Sequence, residues 1–142
     1  MKNLFITLML LVSTIVFAQN WQTNFKKAKE IATENNQKII LIFQGSDWCA
    51  PCIKLDNEIW SSKEFKAYAE ENYVMLKADF PRRRKNKLAK EQQKHNEMLA
   101  ENYNQDGLFP LVIVLDNTGK ILGKTGYKKT SPKEYIAIIN KF

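Results

Sequence analysis

The chain has 142 residues, a net charge of +7 and 44% hydrophobic residues. At this length we expect a single domain with one hydrophobic core. Two cysteines and one histidine argue against a disulfide-stapled scaffold and against a four-ligand zinc site, so we expect no bound metal.

The first 18 residues have the pattern of a secretory signal peptide. Lys2 precedes an uncharged apolar stretch over residues 4–17, and Ala18 offers a small residue at the cleavage edge. We therefore expect a signal peptide over 1–18, a mature domain over 19–142 and a periplasmic or secreted protein. An uncleaved anchor is the alternative, although the stretch is shorter than the roughly 20 residues that a membrane span needs.

The remaining elements are predicted in the order α-β-α-β-α-β-β-α, without an internal repeat. Amphipathic spacing predicts a first helix from Thr23 to Asn36. Two Ser-x-x-Glu sequences with the form of capping boxes predict helices that begin after Ser61 and Ser131. The apolar runs predict strands over 39–43, 73–78, 111–115 and 120–123, the last two forming a hairpin.

The most informative motif contains both cysteines, Cys49 and Cys52, directly behind the first predicted strand. A helix that begins at Cys49 places residue i+3 on the same face, near enough for a disulfide. The helix N-terminus favours the thiolate and lowers the pKa of the first thiol. We therefore predict Cys49 as the nucleophile and Cys52 as the resolving thiol of a redox dithiol.

The sequence Trp48-Cys49-Ala50-Pro51-Cys52 resembles the active site of the thioredoxin superfamily. The resemblance continues through Phe109-Pro110 and the strand that follows, and it is closer to secreted bacterial thioredoxin-like proteins than to cytosolic thioredoxin. It implies an α/β thioredoxin-like fold, in which helices flank a central mixed sheet. The chain would add an extended basic helical segment before the cis-proline loop.

The resemblance also assigns roles to residues outside the dithiol. It implies that Pro110 is cis, faces the dithiol and helps to hold the extended backbone of a substrate. Trp48, Phe109 and Gly126 are the other expected substrate contacts, although Trp48 could serve as a packing lid and Gly126 as a simple turn glycine.

One departure from the family lies at Phe43, where thioredoxins carry a buried aspartate that assists proton transfer at the resolving cysteine. Asp47, Asp56 and Glu58 are candidates to replace it, but the sequence does not place their carboxylates relative to Cys52.

Basic residues are concentrated between residues 82 and 94. The segment contains seven lysines and arginines and one glutamate, and this excess of positive charge accounts for nearly all of the net charge of +7. The segment lacks the aromatic interleaving of nucleic-acid binders, and we expect no nucleic-acid partner. It is either a solvated surface or a docking site for an acidic partner or an anionic membrane.

These patterns favour an extracytoplasmic disulfide reductase without a cofactor that acts on protein disulfides. The resemblance implies that a membrane thiol-reductant donor would reduce it again after each turnover. The residues before the second cysteine, Ala50-Pro51, resemble the reducing branch of the superfamily. The alternatives are a disulfide oxidase or isomerase, and a non-catalytic module that binds a partner or Cu(I).

Overall fold

The computed structural model describes residues 20–142, so the predicted signal peptide lies outside the described residues. No helix within 20–142 combines the length and the apolar character needed to cross a membrane. The helices are α1 (Phe25–Asn35), α2 (Ala50–Leu55, continued by a π-helical turn over Asp56–Trp60), α3 (Lys63–Asn72), α4 (Lys90–Tyr103) and α5 (Pro132–Ile139). The strands are β1 (Lys38–Gln44), β2 (Tyr73–Asp79), β3 (Leu111–Leu115) and β4 (Ile121–Thr125).

The four strands form one mixed sheet in the order β2-β1-β3-β4. β1 pairs parallel to β2 and antiparallel to β3, and β3 and β4 form the predicted antiparallel hairpin. The expected thioredoxin-like α/β architecture is therefore confirmed. The central strands β1 and β3 are covered on both faces, which explains why they are continuous apolar runs rather than alternating ones.

Two core layers lie on opposite faces of the sheet. On one face, the even-numbered residues of β1 and β3 pack with the π-helical turn, α3 and α5 around Trp60 and Tyr135. On the other face, the odd-numbered residues pack with α1 and α4, around Ala28, Ala32 and Leu99. The helix that carries the dithiol is thus anchored on the first face.

The end of the dithiol helix corrects one sequence prediction. The cap of α3 is Ser62 and not Ser61, because the Ser62 hydroxyl accepts the Phe65 amide at 3.1 Å. The Ser61 amide instead donates to the Asp56 carbonyl at 2.8 Å, the last bond of the π-helical turn. Ser61 is therefore the C-cap of the preceding π-helical turn. The second predicted capping box, Ser131 with Glu134, is present in full.

The first helix and the last strand also differ from their predicted bounds. The Asn24 side chain accepts the Lys27 amide at 3.0 Å, so α1 starts at Phe25 rather than at Thr23. β4 runs over Ile121–Thr125 because pairing with β3 extends as far as Thr125, beyond the predicted end at residue 123.

The basic segment is partly helical. Its first residues form the loop that connects β2 to α4, with a short 3-10 turn over Arg84–Asn86. The helix α4 begins at Lys90. The densest basic run, 82–87, therefore lies in the loop and not on the helix.

Candidate functional site

Cys49 and Cys52 are joined by a disulfide bond at the start of α2, with their Cα atoms 5.2 Å apart. Cys49 is the N-cap of α2, and its Sγ accepts the backbone N–H of Cys52 at 3.3 Å. After reduction, this N–H and the helix N-terminus favour a thiolate at Cys49 over a thiol. The arrangement suits Cys49 for attack and Cys52 for closure of the ring.

Cys52 lies beside a cavity of about 250 Å³ whose lining combines polar side chains with Trp21 and Ile53. Gln44 and Ser46 contribute to it from the end of β1, and Asp56 and Lys77 from the dithiol helix and β2. Asp56 follows Cys52 by one helical turn, since its N–H donates to the Cys52 carbonyl. The two side chains therefore share a helix face.

Phe43 does not take part in this cavity. It is fully buried with the core residues of α1 and α4 and stacks on Phe80 at a centroid distance of 6.5 Å. The neighbouring Gln44 points to the other face of the sheet, as the alternation of a strand requires. Sequence reasoning missed Gln44, which the two-residue period of β1 could have indicated.

Trp48 occupies a fixed position next to the dithiol. Its indole Nε1 donates to the Phe80 carbonyl at 2.7 Å, and its ring meets Phe109 edge to face at 5.5 Å. A side chain at Gly45 would overlap the indole, so only glycine leaves room for this orientation. Trp48 and Phe109, both predicted substrate contacts, therefore contact each other.

The peptide bond between Phe109 and Pro110 is cis. Gly126 lies next to it, since a Cβ at Gly126 would sit 3.3 Å from the Pro110 carbonyl oxygen. The Gly126 carbonyl accepts the Tyr135 hydroxyl at 2.9 Å, which ties the loop to the core. Three of the four predicted substrate contacts therefore lie on two adjacent loops, and Trp48 reaches them through Phe109.

Asp47 connects the dithiol loop to the basic loop. Its carboxylate accepts the backbone N–H groups of Arg82 and Arg83, each at 2.9 Å, and the Asn86 side-chain amide, also at 2.9 Å. These hydrogen bonds, led by that from Arg82, lower the pKa of Asp47 to about 2. The carboxylate therefore stays ionised throughout the physiological pH range.

The three carboxylates considered as proton acceptors have different surroundings. Asp47 is occupied by the basic loop, and Glu58 accepts the Tyr127 hydroxyl at 2.7 Å. Asp56 is the one of the three that lines the cavity beside Cys52. The lone histidine, His95, accepts the Phe25 amide at 3.1 Å and so caps α1 as a structural residue at the core edge.

Comparisons with known proteins agree with this geometry. The family model described as thioredoxin-like matches residues 20–117. The chain is 34% identical over 117 residues to the disulfide bond reductase DsbH of Chlamydia pneumoniae, covering 82% of this chain and 68% of that protein.

Solved structures share this fold. A structure titled DsbH oxidoreductase superposes with a TM-score of 0.79 at 31% identity, covering 86% of this chain and 82% of that one. A disulphide isomerase from Xylella fastidiosa shares the fold at a TM-score of 0.59 and 23% identity, covering 81% of this chain and 87% of that one. The matched family model, the relative and the fold together establish that the chain belongs to the thioredoxin-like family, as a homologue of DsbH with a disulfide-forming Cys-x-x-Cys pair.

Proposed function

We propose that this protein is an extracytoplasmic disulfide reductase that uses the Cys49/Cys52 dithiol to reduce disulfides in client proteins. The observation that carries the proposal is the disulfide between these residues at a helix start, in a chain homologous to a named disulfide bond reductase. The adjacent cis Phe109–Pro110 bond and the Trp48 side chain offer a surface for an extended substrate backbone.

The reaction transfers two electrons from the reduced dithiol to the client. The Cys49 thiolate attacks one sulfur of the client disulfide, a Cys49–client bond forms, and the other client sulfur leaves as a thiolate and takes up a proton. Cys52 then loses its proton and attacks the Cys49 sulfur. The Cys49–Cys52 disulfide forms, and the second client sulfur is released as a thiol.

Renewed turnover requires a reductant for the Cys49–Cys52 disulfide. We propose a membrane thiol-reductant donor and a periplasmic or secreted location after removal of residues 1–18. The leader pattern of Lys2 and the apolar stretch that follows supports this location.

The reduction potential of the Cys49–Cys52 pair tests the direction of the reaction. We expect a value near the thioredoxin range of about −270 mV, because the chain lacks a histidine before Cys52 that would stabilise the Cys49 thiolate further. The measurement equilibrates the protein over residues 19–142 with dithiothreitol or glutathione buffers and counts free thiols by alkylation.

Other outcomes of that titration would replace the proposal. A value near about −120 mV would make the protein an oxidant. A pair that does not form a disulfide in solution would favour a partner-binding or Cu(I)-binding module.

We further propose that Asp56 accepts the proton that Cys52 loses during resolution. It lines the cavity beside Cys52 and lies one turn along the same helix. Asp56→Asn should slow release of the second client thiol by about tenfold, below the roughly 10²-fold that general base catalysis commonly contributes, because Asp56 is solvent-exposed. Rapid-quench single-turnover experiments across pH 5–9 would measure this step.

The matched control is Glu58→Gln, which removes a carboxylate of the same helix that is engaged by Tyr127. Its resolution rate should equal that of the wild type. Equal rates for Asp56→Asn and the wild type at every pH would refute the role of Asp56.

A further inference from the structure

The loop between β2 and α4, together with Asp79 at the end of β2, is held against the dithiol loop by several independent contacts. Asp47 accepts two backbone N–H groups of the loop, those of Arg82 and Arg83. The Asp79 carboxylate accepts the Ser46 amide at 2.9 Å and the Ser46 hydroxyl at 2.6 Å. The position of the loop next to the site is therefore part of the fold.

Arg82 brings positive charge directly to the predicted substrate contacts. The carbon at the centre of its guanidinium lies 3.7 Å from the centroid of the Trp48 ring, a close cation–π stack. Trp48 immediately precedes Cys49 and contacts Phe109. The basic loop is thus continuous with the surface on which a substrate backbone would lie.

The charges of this loop are not neutralised within the part of the chain that the structure describes. Arg82, Arg83, Arg84, Lys85 and Lys87 are all exposed. The one ion pair within 4.0 Å among residues 20–142 is Lys27–Glu30, on α1. The Asp47 carboxylate accepts hydrogen bonds from two backbone N–H groups and from Asn86, and it forms no ion pair within 4.0 Å with a guanidinium group of the loop.

We propose that these five side chains, which we call the basic rim, bind acidic residues that flank the reacting cysteine of a client polypeptide. The inference rests on the proposed reductase function and names its substrate class. A polypeptide fits better than a membrane surface, because the rim and the dithiol adjoin. A client whose disulfide reaches Cys49 can place a nearby carboxylate on Arg82 or Arg83, whereas a bilayer on the rim would cover the dithiol.

The test compares three disulfide-linked peptides that differ only at the two positions beside the cysteine, which carry Glu, Gln or Lys. Second-order rate constants for their reduction by the reduced protein are measured at about 20 mM and 500 mM salt. At low salt we expect the Glu peptide to react about tenfold faster than the Gln peptide, and the Lys peptide slowest. At high salt the differences should largely disappear, because the Debye length falls to a few ångströms.

Two matched variants locate the effect. Arg83→Gln/Arg84→Gln/Lys85→Gln removes three of the five charges of the basic rim and leaves Arg82 on Trp48. It should lower the ratio of the Glu to the Gln rate to less than about half of its wild-type value. Lys26→Gln/Lys63→Gln/Lys133→Gln removes the same charge from exposed positions on α1, α3 and α5 and should leave that ratio as in the wild type. All substituted side chains are exposed, and a thermal melt of each variant confirms that it is folded.

Each remaining outcome decides between the proposals. Equal rates for the Glu and Gln peptides, with reduction intact, would overturn the basic rim and leave the reductase function standing. No reduction of any peptide would overturn the reductase function itself. Rim-dependent binding to phosphatidylglycerol vesicles without any peptide preference would assign the rim to a membrane surface and reject the acidic client.

Discussion

Cys52→Ser is expected to become covalently attached to its client through Cys49. Without the second thiol, the Cys49–client disulfide cannot be resolved within the protein, so the intermediate accumulates instead of turning over. Turnover should fall by on the order of 10³-fold or more, as for the loss of other catalytic nucleophiles. Non-reducing gel electrophoresis and mass spectrometry would show one client thiol attached to Cys49.

Cys49→Ser is the informative partner of this variant. It should also lose turnover, but it should not attach to the client, because Cys52 lies inside the first turn of α2 and lacks the N-cap position that favours a thiolate at Cys49. The reduced wild type serves as the structural reference, since both variants lack the Cys49–Cys52 disulfide. Attachment of the client to Cys52 in Cys49→Ser would reverse the assigned roles of the two thiols.

Trp60→Ala is expected to cause the largest loss of stability outside the dithiol. Trp60 is 1% exposed and ends the π-helical turn that continues the dithiol helix. Its ring packs edge to face on Phe65 at 4.7 Å, on Tyr135 at 5.5 Å and on Trp21 at 6.1 Å. Removal of a buried ring of this size costs roughly 3–5 kcal/mol.

Denaturant unfolding of the oxidised protein measures this loss, and for a domain of this size the melting temperature should fall by roughly 12–20 °C. Trp60→Phe is the matched control. The Trp60 Nε1–H has no hydrogen-bond partner among residues 20–142, so the phenyl ring keeps much of the packing and loses no hydrogen bond. It should retain more than half of the stability that Trp60→Ala loses. Equal losses in both variants would show that the indole shape, rather than buried aromatic area, controls this layer.

The bounds of helices and strands were predicted correctly where neighbouring residues alone determine them. β3 was predicted with its observed bounds because an uninterrupted apolar run of β-branched and leucine residues ends at Asp116. The start of α5 was predicted because Ser131, Pro132 and Glu134 satisfy the helix N-terminus within one turn. The cap at Ser61 was wrong because the preceding helix extends by a π-helical turn, which no local pattern indicated.

The candidate site divides in the same way. The amino-acid sequence by itself determined the dithiol, because Cys49 and Cys52 lie three residues apart behind a strand, and a helix start needs nothing more distant to bring them together. The tertiary structure alone decided which charges surround that dithiol. Asp47 meets Arg82 across 35 residues of chain, and Asp56, Lys77 and Gln44 line one cavity only because the dithiol helix, β1 and β2 border it. These placements depend on how the sheet and the helices pack, so the spacing of residues along the chain does not predict them.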